Sequence, residues 1–450
     1  MPVLDDWTYL EAIHKARQGG IVAWLYFLLQ SVRNSWAGFF RMQWASFIPP
    51  FALSLFASFR GWPYFLLDWA VHIFAALLIC RVVALLTADL ETGFMAGAIY
   101  VVFPASNNVL FWSFTNCFYY FQTLALAGWF YYTWSKLAAR GDFRYRFRDF
   151  ALLIPVLFSG EQIFPALLVL LPLTHLLFDR REHRRRFLKF WLLHVAAVLV
   201  LFGFYALLVN QAPIRGGLSV RYDPRQSSQL RQICLGLWGA LGFFPASVGW
   251  RVAWRPHLSL LLLLPLAGVA FFWGVGRCSS PEPQPLLCNR ARRAALLLLW
   301  SAAGVLLTCL PVLNLRSFEF RYLYVPSMFL APALAALVDL SLLRPVRTAL
   351  AFAIVAYCLS VDYSEMHQCW IPQSRTAHAM VEALQAAGPI GPRAIVVFSG
   401  DPFNVGPARS FLNSASWAMN SALEHYTGRR GIEGGRDLVV NEQGDLALHR

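Results

Sequence analysis

The chain has 450 residues, 58% of them hydrophobic and only 14% charged, too little charged surface for a water-soluble globule of this size. Lys and Arg outnumber Asp and Glu by 38 to 24, a net charge of +14. The cytoplasmic loops of membrane proteins collect Lys and Arg, and no basic helix here carries the companions of base readout, so nucleic acid is not an expected partner. The apolar residues fall in runs of roughly 18–24, the length that crosses a hydrocarbon core of about 30 Å. Eight cysteines are present without CxxC or metal-finger spacing, and they read as small core residues. Residues 1–20 show neither the basic nor the apolar region of a signal peptide.

In chain order, residues 1–62 read as an acidic loop with interfacial or re-entrant helices on the extracytoplasmic side. Asp6 can cap a helix from Trp7 to about Gln18, with Gly19 as its stop. Ile21 to Gln30 is too short to cross, Arg33, Asn34 and Arg41 interrupt the chain beyond it, and Pro49-Pro50 breaks the next apolar stretch. Residues 63–363 read as the transmembrane bundle. Spans are expected at about 63–86, 91–110, 113–135, a hairpin over 149–178, then 187–210, 257–276, 294–314, 321–341 and 346–363. The Lys136–Arg148 loop, with Asp142 as its acid, and the run from Asp179 to Arg186 are strongly basic and therefore cytoplasmic. Residues 364–450 form the extracytoplasmic tail, with a strand at Ala394–Phe398 and a helix at Phe411–Tyr426. The expectation is an all-α polytopic membrane protein of about ten spans with a small C-terminal α/β segment.

Several polar constellations carry chemistry. Asp5 and Asp6 sit side by side. One carboxylate suffices for a helix cap; two together repel unless a cation, metal or proton relieves them, so a catalytic or metal-binding role is open. Asp68 and His72 are four apart and share one helical face; a structural Asp–His hydrogen bond is the simplest account of them. Glu161 stands in the break of the hairpin beside Gly160, where it caps a half-helix or lines a cavity. Asn107, Asn108 and Asn116 are neutral amides that hold a sugar or a backbone equally well. Arg321 either snorkels to the interface or grips a phosphate with a forked contact, with Tyr322 and Tyr324 alternating around it. No Walker loop and no HExxH occur, which argues against ATP hydrolysis and zinc proteolysis.

These residues resemble the GT-C class of polytopic glycosyltransferases, in particular the protein O-mannosyltransferase-like branch and its bacterial relatives. The match runs in order over most of residues 4–335. Leu4-Asp5-Asp6-Trp7-Thr8-Tyr9-Leu10 is similar to the family's acidic motif in the first extracytoplasmic loop. Phe40-Arg41-Met42 stands where the family has Arg-Pro-Leu. Leu66 to His72 resembles its second span, with Asp68 in place of a usual asparagine. Phe103-Pro104 to Trp112 is similar to a segment with an acid where Asn108 stands. Ser159-Gly160-Glu161-Gln162 resembles a Lys-Glu element without its lysine, and Arg321-Tyr322-Leu323-Tyr324-Val325-Pro326-Ser327 resembles an Arg-Tyr-Leu-Tyr-Leu-Pro-Ser element.

The resemblance implies a GT-C-like helical bundle that moves a monosaccharide from a polyprenyl-phosphate donor to a protein, glycan or lipid acceptor at the outer face of a bacterial plasma membrane. Asp6, with Asp5 beside it, would be the general base, and Arg321 and Arg41 would hold the leaving phosphate. His72, Asp68, Asn108, Glu161, Tyr322 and Tyr324 would line or support the cavity. A divalent cation, if any, would sit on Asp5 and Asp6, though the amide at Asn108 cannot neutralise one; the resemblance makes no cofactor certain. Two alternatives are a non-enzymatic flippase or transporter of lipid-linked sugar and a degenerate GT-C scaffold. The family has a helix before its acidic loop, so an in-frame apolar run of about 20 residues is expected upstream of Met1 in the gene.

Overall fold

The computed structural model describes residues 13–39, 44–57, 61–104, 117–178, 184–210, 284–311, 320–340 and 344–367, with scattered positions and short strands beyond them. Almost all of this is helix: α1 Gly20–Phe39, α2 Trp44–Ala57, α3 Gly61–Thr87, α4 Leu90–Val101, α5 Cys117–Trp134, α6 Phe147–Leu157, α7 Phe164–Phe178, α8 Arg184–Asn210, α9 Gln284–Cys309, α10 Tyr324–Asp339 and α11 Arg344–Glu365. Among the described residues, four segments are long and apolar enough to cross a membrane: Trp62–Thr87, Arg184–Phe204, Arg290–Cys309 and Pro345–Tyr363. Their outward side chains include Phe74, Leu77, Leu193, Val200, Leu306 and Phe352, all exposed. This composition is compatible with a helical membrane protein, since among the described residues nothing covers these apolar faces.

Helices α3 and α4 form the tightest pair. Thr87 ends one and Asp89 caps the other, its carboxylate accepting from the Glu91 amide at 2.9 Å and from the Thr92 hydroxyl at 2.8 Å. Gly93 and Gly97, four apart, face Ala76, Cys80 and Ala84 of α3 so closely that a Cβ on Gly93 would lie 2.5 Å from the Cys80 carbonyl oxygen. This is the small-residue packing by which helices approach in lipid. Deeper in the bundle, Trp300 of α9 packs, tilted, between Phe130 of α5 and Phe329 of α10, and its indole N–H donates to Thr174 of α7. A separate small core joins Ile13, Trp24 of α1, Phe51 and Ala57 of α2, and Tyr64 of α3.

Several expectations are corrected. The chain turns after Gln18 as expected, with Gly20 at φ 87°. However, α1 then runs unbroken through Arg33 and Asn34, although only Gly20–Leu29 is apolar. Helix α2 passes through Pro49 and Pro50. Their fixed φ is helical, so the loss is two amide donors rather than the helical path; Trp24 against Phe51, and its indole on Ser54, hold the segment in place. Helix α4 stops at Val101, short of 110, because Pro104 disfavours the helical conformation just before it. Helix α9 begins at Gln284, ten residues ahead of the expected span, and draws Arg290, Arg292 and Arg293 into the helix.

The hairpin over 149–178 is asymmetric. Helix α6 has 11 residues and α7 has 15. At 1.5 Å per residue α6 is about 16 Å long, half a bilayer. Its turn at Phe158–Gly160 is buried. The Phe158 carbonyl accepts from the Ala45 amide at 3.1 Å, and the Ser159 carbonyl from the Ser46 hydroxyl at 2.6 Å, both at the start of α2. A turn away from water needs such partners. Lys136, expected in a basic loop with Asp142 as its acid, is buried and paired at 2.5 Å with Asp149, itself the third helical residue of α6.

In the tail, Ile395–Phe398 pairs antiparallel with Leu446–His449, and Asn404–Val405 with Ala408–Arg409. The expected span at 257–276 and helix at 411–426 lie outside the described residues.

Candidate functional site

Helix α3 carries Asp68 and His72 one turn apart, both buried. His72 Nε2 lies 3.0 Å from the Val101 carbonyl at the end of α4, and Nδ1 lies 2.6 Å from the Tyr324 hydroxyl at the start of α10. A carbonyl can only accept, so Nε2 carries the proton, and the Tyr324 hydroxyl donates to Nδ1 of a neutral ring. The imidazole is therefore satisfied by Val101 and Tyr324, not by Asp68 as the spacing suggested. Asp68 lies buried one turn earlier on the same helix.

Around this pair the rings of Tyr100, Tyr120 and Tyr324 close an aromatic wall, with Tyr100 at 4.9 Å from His72 and Tyr120 at 5.1 Å from Tyr324. Tyr322 packs edge-on against Tyr119 at 5.9 Å. The backbone of Tyr322 accepts from Gln162 Nε2 at 3.0 Å. That contact sets two short turns side by side, Glu161–Ile163 and Phe320–Leu323. Glu161 and Arg321 each stand one residue before a member of the bonded pair, so their backbones enter the same corner of the bundle.

Gln122 forms the floor of this corner. It is fully buried, and neither its amide nitrogen nor its carbonyl oxygen has a partner among the described residues. Gln162 Oε1 is likewise unpaired. Gly160 allows this close approach, since a Cβ there would force the Gln122 side chain to move. Unpaired buried amides are costly unless water or a polar ligand meets them. The corner thus gathers neutral hydrogen-bonding groups and aromatic rings, all buried between the helices.

Of the sequence-selected residues, the structure brings together His72, Asp68, Tyr322 and Tyr324, with Glu161 and Arg321 placed by their backbones alone. Asp5, Asp6, Arg41 and Asn108 lie outside the described residues. Sequence reasoning missed Tyr100, Tyr120 and Gln122. The Tyr119-Tyr120-Phe121-Gln122 cluster at the head of an apolar helix is the signal that could have found two of them. Among the described residues no three His, Cys, Asp or Glu side chains are grouped as a metal site. No protein-family model, curated protein or solved structure matches the chain.

Proposed function

We propose that the protein transfers a monosaccharide from a polyprenyl-phosphate donor to an acceptor at the extracytoplasmic face of a bacterial plasma membrane. One observation carries this reading. Three of the segments that resemble the GT-C motifs, Leu66–His72, Ser159–Gln162 and Arg321–Ser327, stand up to 252 residues apart and meet in one corner through the His72–Tyr324 and Gln162–Tyr322 contacts. In a bundle of about ten spans with the tail outside, that corner lies about half a bilayer, the length of α6, from the cytoplasmic basic loops.

The acceptor hydroxyl attacks the anomeric carbon from the side opposite the phosphate, so the configuration inverts in one displacement. Asp6 takes the hydroxyl proton, Asp5 orients it, and Arg321 with Arg41 neutralises the departing polyprenyl phosphate.

The test is transfer from a radiolabelled polyprenyl-phosphate sugar by purified protein in liposomes. Wild type transfers label, and Asp6→Asn folds but loses about 10²–10⁴-fold in rate, the usual worth of a general base. Transfer that survives in both Asp5→Asn and Asp6→Asn overturns the base assignment. Label that crosses the bilayer without reaching any acceptor overturns the transferase in favour of a transporter.

A further inference from the structure

A groove of about 460 Å³ runs between α5 and α6. Its walls are apolar, with Leu124, Ala125 and Gly128 on α5 and Leu152 and Pro155 on α6. Ala125 and Gly128 carry little side chain, so the floor lies low between the two helices. Leu152 and Pro155 are exposed on its open side. From Phe121 to Tyr132 the α5 wall is about 16 Å long, half a hydrocarbon core. Ala45 and Ser159 line one end, where α6 has stopped, and Tyr132 lines the other.

Positive charge gathers at the Tyr132 end. The Tyr132 hydroxyl accepts from Arg148 Nε at 2.8 Å and donates to Asp149 at 2.8 Å, and the Arg148 guanidinium lies 5.3 Å from the centre of the Tyr132 ring. Arg148 is exposed, and among the described residues its guanidinium makes no further hydrogen bond or ion pair. The acids of this loop are both engaged, Asp149 by Lys136 and Asp142 by Arg146 at 2.9 Å. From Lys136 to Asp149 the chain holds five basic residues against those two acids. The run from Asp179 to Arg186 holds five arginines against two acids. It leads into α8, whose Phe190 packs on Tyr145 of the first loop. A negative group at this mouth of the groove meets net attraction.

We infer that the groove holds one acyl chain of an anionic phospholipid from the leaflet on the basic side, with the lipid phosphate on the Arg148 guanidinium. Lining, length and charge each favour this occupant. An apolar groove open to the bilayer fills with hydrocarbon, and a depth of half a bilayer suits a chain from one leaflet. Tyr132 holds Nε of Arg148, which leaves the two Nη groups to grip phosphate oxygens. A polyprenyl phosphate fits less well, because its chain is far longer than the groove. The inference rests on the membrane character of the chain and is independent of sugar transfer.

Native mass spectrometry of the detergent-released protein, titrated with defined lipids, tests it. Phosphatidylglycerol binds about tenfold tighter than phosphatidylcholine, one charge-assisted contact's worth of preference. Arg148→Gln removes that preference. Arg185→Gln, which takes the same charge from the neighbouring basic run, leaves it. Ala125→Phe fills the groove and abolishes the tight binding; should that variant fail to fold, Leu152→Trp closes the open side to the same effect. Equal loss of preference in the two arginine variants assigns it to the basic surface at large and overturns the site. So does phosphatidylglycerol binding that survives the blocked groove, or tighter binding of polyprenyl phosphate to the wild type.

Discussion

Lys136 and Asp149 show how much a single pair can hold. Burial pushes the Asp149 carboxyl up, but hydrogen bonds from Lys136, the Arg146 amide and the Tyr132 hydroxyl, with the Lys136 charge, outweigh it and hold the carboxyl below its ordinary value. A depressed carboxyl contributes stability that is present above its unfolded value near 3.9 and is lost as pH falls through the lowered folded value. Unfolding midpoints of wild type and Asp149→Asn therefore differ by a constant amount from about pH 5 to 7 and converge in stronger acid. A gap that stays open in acid would remove the pair as its source. Lys136→Met strands a buried carboxylate and costs about 3–5 kcal/mol. The pairing was not legible in the sequence, where Lys136 stands at the head of a run of arginines and only Asp142 looked like its counter-charge. The same holds for His72: spacing offered Asp68, whereas the true partner sits in a helix encoded 252 residues later.

At the scale of elements, apolar run length was a sound guide. The expected spans at 63–86, 187–210 and 346–363 match α3, α8 and α11 within three residues at each end. Run length could not show where helices continue through polar or proline residues, as α1, α2 and α9 do, because tertiary packing rather than composition decides there. The Gly93–Gly97 spacing is present in the sequence, but only the structure gives it a meaning, as the mark of the α3–α4 seam. Gly93→Leu drives its Cβ into the Cys80 carbonyl, a backbone atom that cannot yield, and costs about 1–3 kcal/mol. Gly128→Ala is the control: the nearest atom to its Cβ is a Leu78 methyl at 3.6 Å, an ordinary contact. A thermal midpoint in detergent lowered by Gly93→Leu and unmoved by Gly128→Ala is the expected result; equal midpoints would mean that the seam is loose.

For the whole molecule, the proposed topology puts Arg140 and Arg185 on one side and the paired strand at His449 on the other. Single cysteines at these positions in a cysteine-free background, probed with an impermeant thiol reagent in intact cells and in inverted vesicles, decide it. Positions 140 and 185 label together, and 449 labels from the opposite side. Labelling of 449 with 140 would make the number of crossings between them even and move the tail inside. The overall membrane class was plain from 58% hydrophobic and 14% charged residues. The convergence of distant motifs was not, because ordered motifs on a line say nothing of which helices neighbour each other.

The His72–Tyr324 contact also sets a clock. At 5–20 residues per second of synthesis, the 252 residues between them take roughly 13–50 s to emerge. Throughout that interval a histidine in an apolar helix waits without its hydroxyl donor. Helix α4, which begins after only a two-residue turn, brings the Val101 carbonyl within seconds and supplies one bond early. The α3–α4 hairpin is thus a holding arrangement that carries a half-satisfied imidazole into the bilayer, and the corner becomes complete only when translation has delivered α10.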